Sequence, residues 1–196
     1  MWVKFSDVVF NKSVGLLSEK VFFDDKKEIV FVGRSNMWKS SLMNAIFEKK
    51  DLVKTSSKPG KTRLANLFIV AKKYYLTDLP GYGFAKLWKE HKDKLDWLIS
   101  WYLEERKSLI KRVVMLIDSK LWAQDSDLDM YKFILSLELP VVIVLSKVDK
   151  LSKNEIYKSV EHAKESFFWQ EVIPVSSSKN IWIIELCKNI QSALIK

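Results

Sequence analysis

The chain has 196 residues, 48% of them hydrophobic and 29% charged, an ordinary globular balance that argues against a fibrous or disordered polypeptide. No apolar run approaches the roughly 18 residues of a membrane helix, and the opening "MWVKFSDVVFNKSVG" has charged and polar side chains where a secretory signal needs an apolar stretch. A formal charge of +9 and a pI near 9.4 favour an anionic partner such as RNA, although a lysine-rich solvated surface gives the same values.

The length suits one domain, 1–196, around one core. In chain order, "EIVFVG" (28–33) reads as a strand leading into a helix near 39–49. "ANLFIV" (65–70) and "KYYLTDLPG" (73–81) are close enough to form an antiparallel hairpin at one sheet edge. A long, basic, amphipathic helix follows over about 88–107, then a strand "RVVMLID" (112–118) and a helix near 125–137. "PVVIVLS" (140–146), a helix near 152–167, "EVIPVS" (171–176) and a helix near 181–194 complete the chain. β-branched runs separated by segments of 3.6-residue period specify βαβ units. The expected fold is therefore α/β, with a mostly parallel six-stranded sheet, helices on both faces and one antiparallel edge strand. The single Cys187 has no intramolecular disulfide partner and reads as a buried thiol in a reducing cytoplasm.

In such a sheet, ligands bind beyond the carboxyl ends of the strands. The first of these loops is "GRSNMWKSS" (33–41), with the spacing of a phosphate-binding loop. Gly33 permits the turn out of the strand, Lys39 would reach the β- and γ-phosphates, and the Ser40 hydroxyl would ligate Mg²⁺. Backbone N–H groups and the following helix N-terminus would complete the anion cradle. The motif wants glycine at position 38, where this chain has Trp38.

Downstream, "TDLPG" (77–81) offers Asp78 to a water-held Mg²⁺ and the Gly81 N–H to a γ-phosphate, although Asp-Leu-Pro-Gly is also a good turn. "SKVD" (146–149) offers the Asp149 carboxylate to the two donors on the guanine edge and the Lys147 stem to the base plane. A helix cap with solvated charges is the alternative. "VSSSK" (175–179) ends the last strand, where its backbone could meet the guanine oxygen or simply cap a helix. "TSSKPGKTR" (55–63) is a basic loop that could be solvated or could present Thr62 as a second Mg²⁺ ligand.

With "GRSNMWKSSLMNAI", "SSKPGKTRLANLF", "TDLPGYGFAK" and "SKVDK" in this order, the chain resembles the EngB (YihA/YsxC) family of bacterial Era-like GTPases over nearly its whole length. The resemblance implies a Ras-like P-loop fold binding GTP or GDP with Mg²⁺. It also implies a role in large ribosomal subunit assembly, with an association with cell division and septation. Carried over by motif, phosphate contacts fall to Gly33, Arg34, Ser35, Asn36, Met37, Trp38, Lys39 and Ser40. Mg²⁺ falls to Ser40 and Thr62. The γ-phosphate is sensed by Gly60, Lys61, Thr62, Arg63 and Leu64 and by Asp78, Leu79, Pro80 and Gly81. Guanine falls to Ser146, Lys147, Val148 and Asp149, with Val175, Ser176 and Ser177. Lys39, Thr62 and Gly81 are the candidate catalytic residues. Tyr82 stands where many GTPases have a water-positioning glutamine, and Asn36 matches a P-loop asparagine that in some relatives helps to bind K⁺.

The chain departs from the family at glycine. Trp38 replaces the glycine before the P-loop lysine, and Asn180-Ile181-Trp182 replaces a Gly-x-Gly. An indole at position 38 can turn to solvent, displace the phosphates or fold into the site. The expectation is a preserved fold with weakened nucleotide binding. A non-hydrolysing rRNA-binding scaffold is the competing reading, and a P-loop kinase leaves "SKVD" and Thr62 without a role. RNA contact is expected at Lys49, Lys50, Lys54, Lys58, Lys61 and Arg63 and at Lys89, Lys92 and Lys94. His91 and His162 read as surface residues, whereas Trp97, Leu98 and Trp101 read as core.

Overall fold

The computed structural model describes residues 2–15, 24–35, 38–53, 64–83 and 89–196, excluding the side chains of 89–93. In chain order the elements are β1 (Val8–Val14), β2 (Glu28–Gly33), α1 (Lys39–Phe47), β3 (Ala65–Val70), β4 (Tyr74–Asp78), α2 (Lys89–Glu105), β5 (Ile110–Asp118), α3 (Asp125–Ser136), β6 (Val141–Ser146), α4 (Lys153–Ser166), β7 (Val172–Pro174) and α5 (Ile183–Ile195). The expected helices and strands are present, with ends shifted by a few residues.

Among the described residues the sheet has seven strands in the order β1-β3-β4-β2-β5-β6-β7, one more than the six expected. The addition is β1, which pairs antiparallel with β3 and carries a bulge between Phe10 and Lys12. Its sequence, VVFNKSV, is exposed along most of its length and lacks the continuous apolar run that marks the central strands. The hairpin of β3 and β4 forms as expected. With β1 outside it, however, the antiparallel strand β3 is second from the edge. β2, β4, β5, β6 and β7 are linked by parallel pairings.

β2, β5 and β6 are almost wholly apolar because helices cover both of their faces. Along β2, Ile29 and Phe31 join a core with Leu42 and Ile46 of α1 and Leu186 and Ile190 of α5. Val30 and Val32 face the other way, toward Ile99 and Tyr102 of α2, Tyr131 and Ile134 of α3 and Ala163 of α4. This period-2 split holds the strand ends in one row, and that row carries the candidate site. Leu98 is fully buried and Trp101 packs at the core's margin, as expected. Trp97 does not join the core. It is 53% exposed and stacks on Trp101 with ring centroids 5.9 Å apart, because one helix turn carries it beyond the buried stripe.

At the opposite end of the sheet Glu28 is fully buried. Its carboxylate accepts the Thr77 and Tyr102 hydroxyls and the Arg106 Nε–H at 3.0 Å. Arg106 also donates to the backbone carbonyls of Asp24 and Lys26 at 2.9 and 3.3 Å. One carboxylate thus ties β2, β4 and α2 together. Cys187 is partly buried on α5, and burial, helped by the charge of Glu48, pushes its thiol to about 11. A thiol reagent at about pH 8 is therefore expected to label the native chain slowly and the urea-unfolded chain fast. Equal rates would show an accessible thiolate. No helix among the described residues is long and apolar enough to cross a membrane.

Candidate functional site

Two poles face each other across the carboxyl ends of the strands. At the first, β2 runs through Gly33 into the loop before α1, and β4 ends at Asp78. The two chains stay zipped beyond their strands through a parallel bridge between Arg34 and Tyr82. The Ser35 N–H donates to the Tyr82 carbonyl at 3.0 Å, and the Tyr82 N–H donates to the Gly33 carbonyl at 3.3 Å. The Ser35 hydroxyl donates to the Gly81 carbonyl at 3.1 Å. The approach requires glycine at 81, since a Cβ there would stand 2.6 Å from Ser35 Cα. Leu79 is buried and leads into this turn, which passes through Pro80.

The first turn of α1 brings Lys39 and Ser40 over Asp78. The Lys39 ammonium lies 3.0 Å from Asp78 Oδ1, and the Ser40 hydroxyl donates to Asp78 Oδ2 at 3.3 Å. Both Lys39 and Asp78 are buried. Asp78 Oδ1 takes no donor beyond this ammonium among the described residues. A buried carboxylate beside a serine hydroxyl, with spare acceptor capacity on its oxygens, is a hard-oxygen set that suits Mg²⁺. That ion takes few protein ligands and fills the rest of its shell with water and phosphate. Among the described residues no cluster of three or more His, Cys, Asp or Glu offers a competing metal site. Asn36, Met37, Gly60, Lys61, Thr62 and Arg63 lie outside the described residues. Leu64 is exposed just before β3.

The second pole is built on β5, β6 and the segment after β7. Ser146 is paired with Asp118 in register and donates its hydroxyl to the Ile117 carbonyl at 3.1 Å. Lys147 is left-handed, with φ 64°, and its ammonium donates to Asp118 Oδ2 at 2.7 Å. Val148 opens a 3₁₀ turn, and its N–H donates to the Val175 carbonyl at 3.3 Å. The Ser176 hydroxyl donates to Asp149 Oδ1 at 2.6 Å, and this bond holds the Asp149 carboxyl below its ordinary range. Ser177 and Ser178 complete the wall of a cavity of about 140 Å³, lined also by Leu42, Ser146, Lys147, Asp149, Lys150, Val175 and Trp38.

Trp38 answers the question its position raised. It caps the start of α1 with φ 59° and ψ 23°, and its indole, 52% exposed, forms part of the wall of the cavity that holds Asp149. The Lys147 ammonium lies 5.7 Å from its ring centroid. The side chain is therefore neither wholly solvated nor turned into the core. A larger cavity of about 550 Å³ opens at the other end of the sheet, lined by Lys26, Lys27 and Lys73 together with Asp24 and Asp25. It lies far from the strand carboxyl ends, and its Asp24 carboxylate is already paired with the Lys26 ammonium.

Sequence reasoning missed two carboxylates. Asp118 ends the run "RVVMLID", and its location at a strand terminus was the available signal. Burial raises its carboxyl, but the Lys147 ammonium and the Lys120 N–H more than offset this, and the net shift is downward. A depressed carboxyl stabilises the fold above the ordinary carboxylate range, and that contribution is lost as pH falls through the lowered value. In urea unfolding, the stability advantage of the native chain over Asp118→Asn is expected to shrink as the pH is lowered through that range. An advantage independent of pH would show that the Lys147 pair contributes nothing. The other carboxylate is Asp127 on α3, which accepts the Tyr82 hydroxyl at 2.9 Å and the Gln124 N–H at 2.9 Å. Burial raises the Asp127 carboxyl. Burial and Asp127 together push the Tyr82 hydroxyl far above its usual value. His162 is stacked on Trp122 with ring centroids 4.2 Å apart, and its Nδ1 lies 3.4 Å from the Ser166 hydroxyl one helix turn on, away from the strand ends that carry the site.

Residues 28–147 match the family described as 50S ribosome-binding GTPase. The "Probable GTP-binding protein EngB" of Thermotoga petrophila is 44% identical over 174 residues, covering 86% of this chain and 87% of that protein. Its namesake from Clostridium kluyveri is 43% identical over 143 residues, covering 73% and 72%. Among solved structures, a crystal structure of a probable GTP-binding protein engB superposes with a TM-score of 0.72 at 25% identity, covering 85% of this chain and 98% of that one. Aquifex aeolicus Era bound to GDP and aluminium fluoride superposes with a TM-score of 0.70 at 23% identity, covering 85% of this chain and 56% of that one, a likeness of fold. The zipped P-loop, the buried lysine over Asp78 and the carboxylate cavity at the ends of β6 and β7 are thus set in a chain that belongs to the EngB family of Era-like GTP-binding proteins.

Proposed function

We propose that this chain is a single G domain that binds GTP and GDP, hydrolyses GTP, and acts as a cytoplasmic monomer in large ribosomal subunit assembly. Its loss would then impair cell division and septation. The observation that carries the reading is the convergence of Lys39 and Ser40 on Asp78 opposite a cavity walled by Lys147 and Asp149. Lys39 supplies positive charge at the β- and γ-phosphates, and the N–H groups at the head of α1 supply the anion cradle. Mg²⁺, when bound, neutralises charge on those phosphate oxygens. Ser40 and Asp78 are the described residues that would hold it, with Thr62 as the further ligand. Asp149 accepts from the guanine ring N–H and exocyclic amine, while Val175, Ser176 and Ser177 frame the base. A base lacking that pair of donors leaves a carboxylate unpaired and is rejected.

Tyr82 occupies the place of a water-positioning glutamine, but its hydroxyl is committed to Asp127. Hydrolysis therefore depends on electrostatic stabilisation by Lys39, Thr62 and the Gly81 N–H and on a group supplied by a partner. Asn36 is assigned to K⁺, and equal turnover in Na⁺ and K⁺ would remove that assignment. The partner is large-subunit rRNA, met by exposed lysines such as Lys49, Lys50 and Lys94 on a chain of charge +9.

With tryptophan at position 38 the nucleotide is held weakly. That favours a second reading, a non-hydrolysing rRNA-binding scaffold. GTP turnover with and without large-subunit particles separates the two, paired with a pulldown of those particles over a salt series. Turnover stimulated by the particles supports the GTPase. Salt-sensitive capture without turnover supports the scaffold, and neither would overturn both.

A further inference from the structure

The chain contains eight tryptophans, and four of them, Trp38, Trp122, Trp169 and Trp182, have left-handed backbones with φ of 59°, 57°, 61° and 51°. An L-residue held there is strained relative to right-handed geometry, because its Cβ crowds the following carbonyl oxygen. Asparagine and aspartate recover part of that through local hydrogen bonds, which an indole does not supply. Tryptophan nevertheless provides four of the twelve left-handed non-glycine residues among those described. Most of the other eight carry acidic, basic or amide side chains.

Each of the four sits where a chain reverses or a helix begins or ends. The carbonyls of Trp38 and Trp182 accept the Leu42 and Leu186 N–H groups at 2.9 and 3.1 Å, opening α1 and α5. The Trp122 N–H closes a turn onto the Asp118 carbonyl at 3.1 Å, and the Trp169 N–H closes the end of α4 onto the Lys164 carbonyl at 2.7 Å. These are positions that glycine fills by default. Nor does the core need the indoles, which are 52%, 49%, 68% and 45% exposed. Their ring contacts are superficial, Trp38 with the Lys147 ammonium and Trp122 with His162. Trp97 and Trp101 behave differently, lying within α2 and stacking on each other. The whole chain has only five glycines in 196 residues, well below the usual fraction of about 7%.

We infer that positions 38, 122, 169 and 182 carry glycine in the protein as its own cells translate it. Their codon differs from that of Trp97 and Trp101 and means tryptophan in one genetic code and glycine in another, as UGA does. Two codons sorted by backbone conformation explain why one set of tryptophans stacks within a helix while the other occupies turns and caps where an indole gains no burial. The inference deepens the nucleotide-binding reading, because glycine at 38 clears the indole from the cavity wall. It does not rest on that reading, since none of the other three positions lines the cavity.

The test is peptide mass sequencing of the protein purified from its source cells, read together with its gene. Glycine at all four positions, with tryptophan at 97 and 101, is the expected result. Tryptophan at any of the four, or one codon shared by all six, overturns the inference. A recombinant chain carrying tryptophan at every position supplies an independent measurement of the conformational argument. Trp122→Gly, Trp169→Gly and Trp182→Gly are each expected to raise Tm, and Trp97→Gly to lower it. A fall in Tm at all three turn positions would overturn the argument. No arm reads GTP binding, so failure here and failure of the GTPase assignment are distinguishable.

Discussion

Replacing Trp38 with glycine is expected to tighten GDP binding by roughly ten- to several-thousand-fold. The residue before the P-loop lysine lies where backbone N–H groups approach the phosphates, and glycine lets that approach be close. Trp38 already has the left-handed φ of 59° that such a turn uses. The substitution therefore asks for no new backbone path. It removes an indole that lines the same cavity as Asp149 and lies beneath the Lys147 ammonium. Recovering one charge-assisted hydrogen bond at roughly 1.5 kcal/mol, or two at up to about 2.5 kcal/mol each, accounts for the range. Calorimetric titration of GDP with Mg²⁺ into both proteins measures the difference, with Trp97→Gly as a control for losing an exposed indole. Equal affinities would mean that the phosphates and base bypass the indole, and the weakened-site reading would be wrong.

The second large effect concerns the opposite end of the sheet. Arg106→Met is expected to cost about 3–5 kcal/mol in urea unfolding, the range for leaving a buried charge without its partner. The Glu28 carboxylate is fully buried, so water cannot readily replace the guanidinium. The two backbone carbonyls that Arg106 holds would also lose their donor. Adding Glu28→Gln removes the stranded charge, and the double variant is expected to be less destabilised than the sum of the singles. Strict additivity would show that the two side chains act separately. Because Glu28 and Arg106 meet at the amino end of β2, five residues before Gly33, nucleotide affinity in the surviving folded fraction should be unchanged.

These two sites differ in how far the sequence revealed them. The P-loop, Asp78 and the Lys147–Asp149 turn were legible because each follows a continuous apolar run and the parallel sheet lines up the ends of those runs. The Lys147–Asp118 and Tyr82–Asp127 bonds were not, because each joins residues brought together only by strand order or helix packing. Glu28 looked like the polar first residue of a strand. Its burial depends on Arg106, which sequence periodicity cannot place across 78 positions. β1 escaped notice because an edge strand needs only sparse burial. Trp97 was misplaced because a helical period fixes which residues share a face but not where the buried stripe stops.

The bulge in β1 bears on the behaviour of the sheet as a whole. An open sheet presents unpaired N–H and C=O groups along both margins, and a flat apolar margin can template pairing with another chain. On one side β1 exposes Val9 and Phe10, an adhesive pair, and the register shift immediately after Phe10 brings in Lys12. The shift interrupts the ladder, increases the local twist and sets a charge beside the apolar pair. On the other side β7 spans only three residues and ends in Pro174, which has no N–H to offer. Both margins are poor templates, so the sheet resists extension by edge-to-edge pairing between copies.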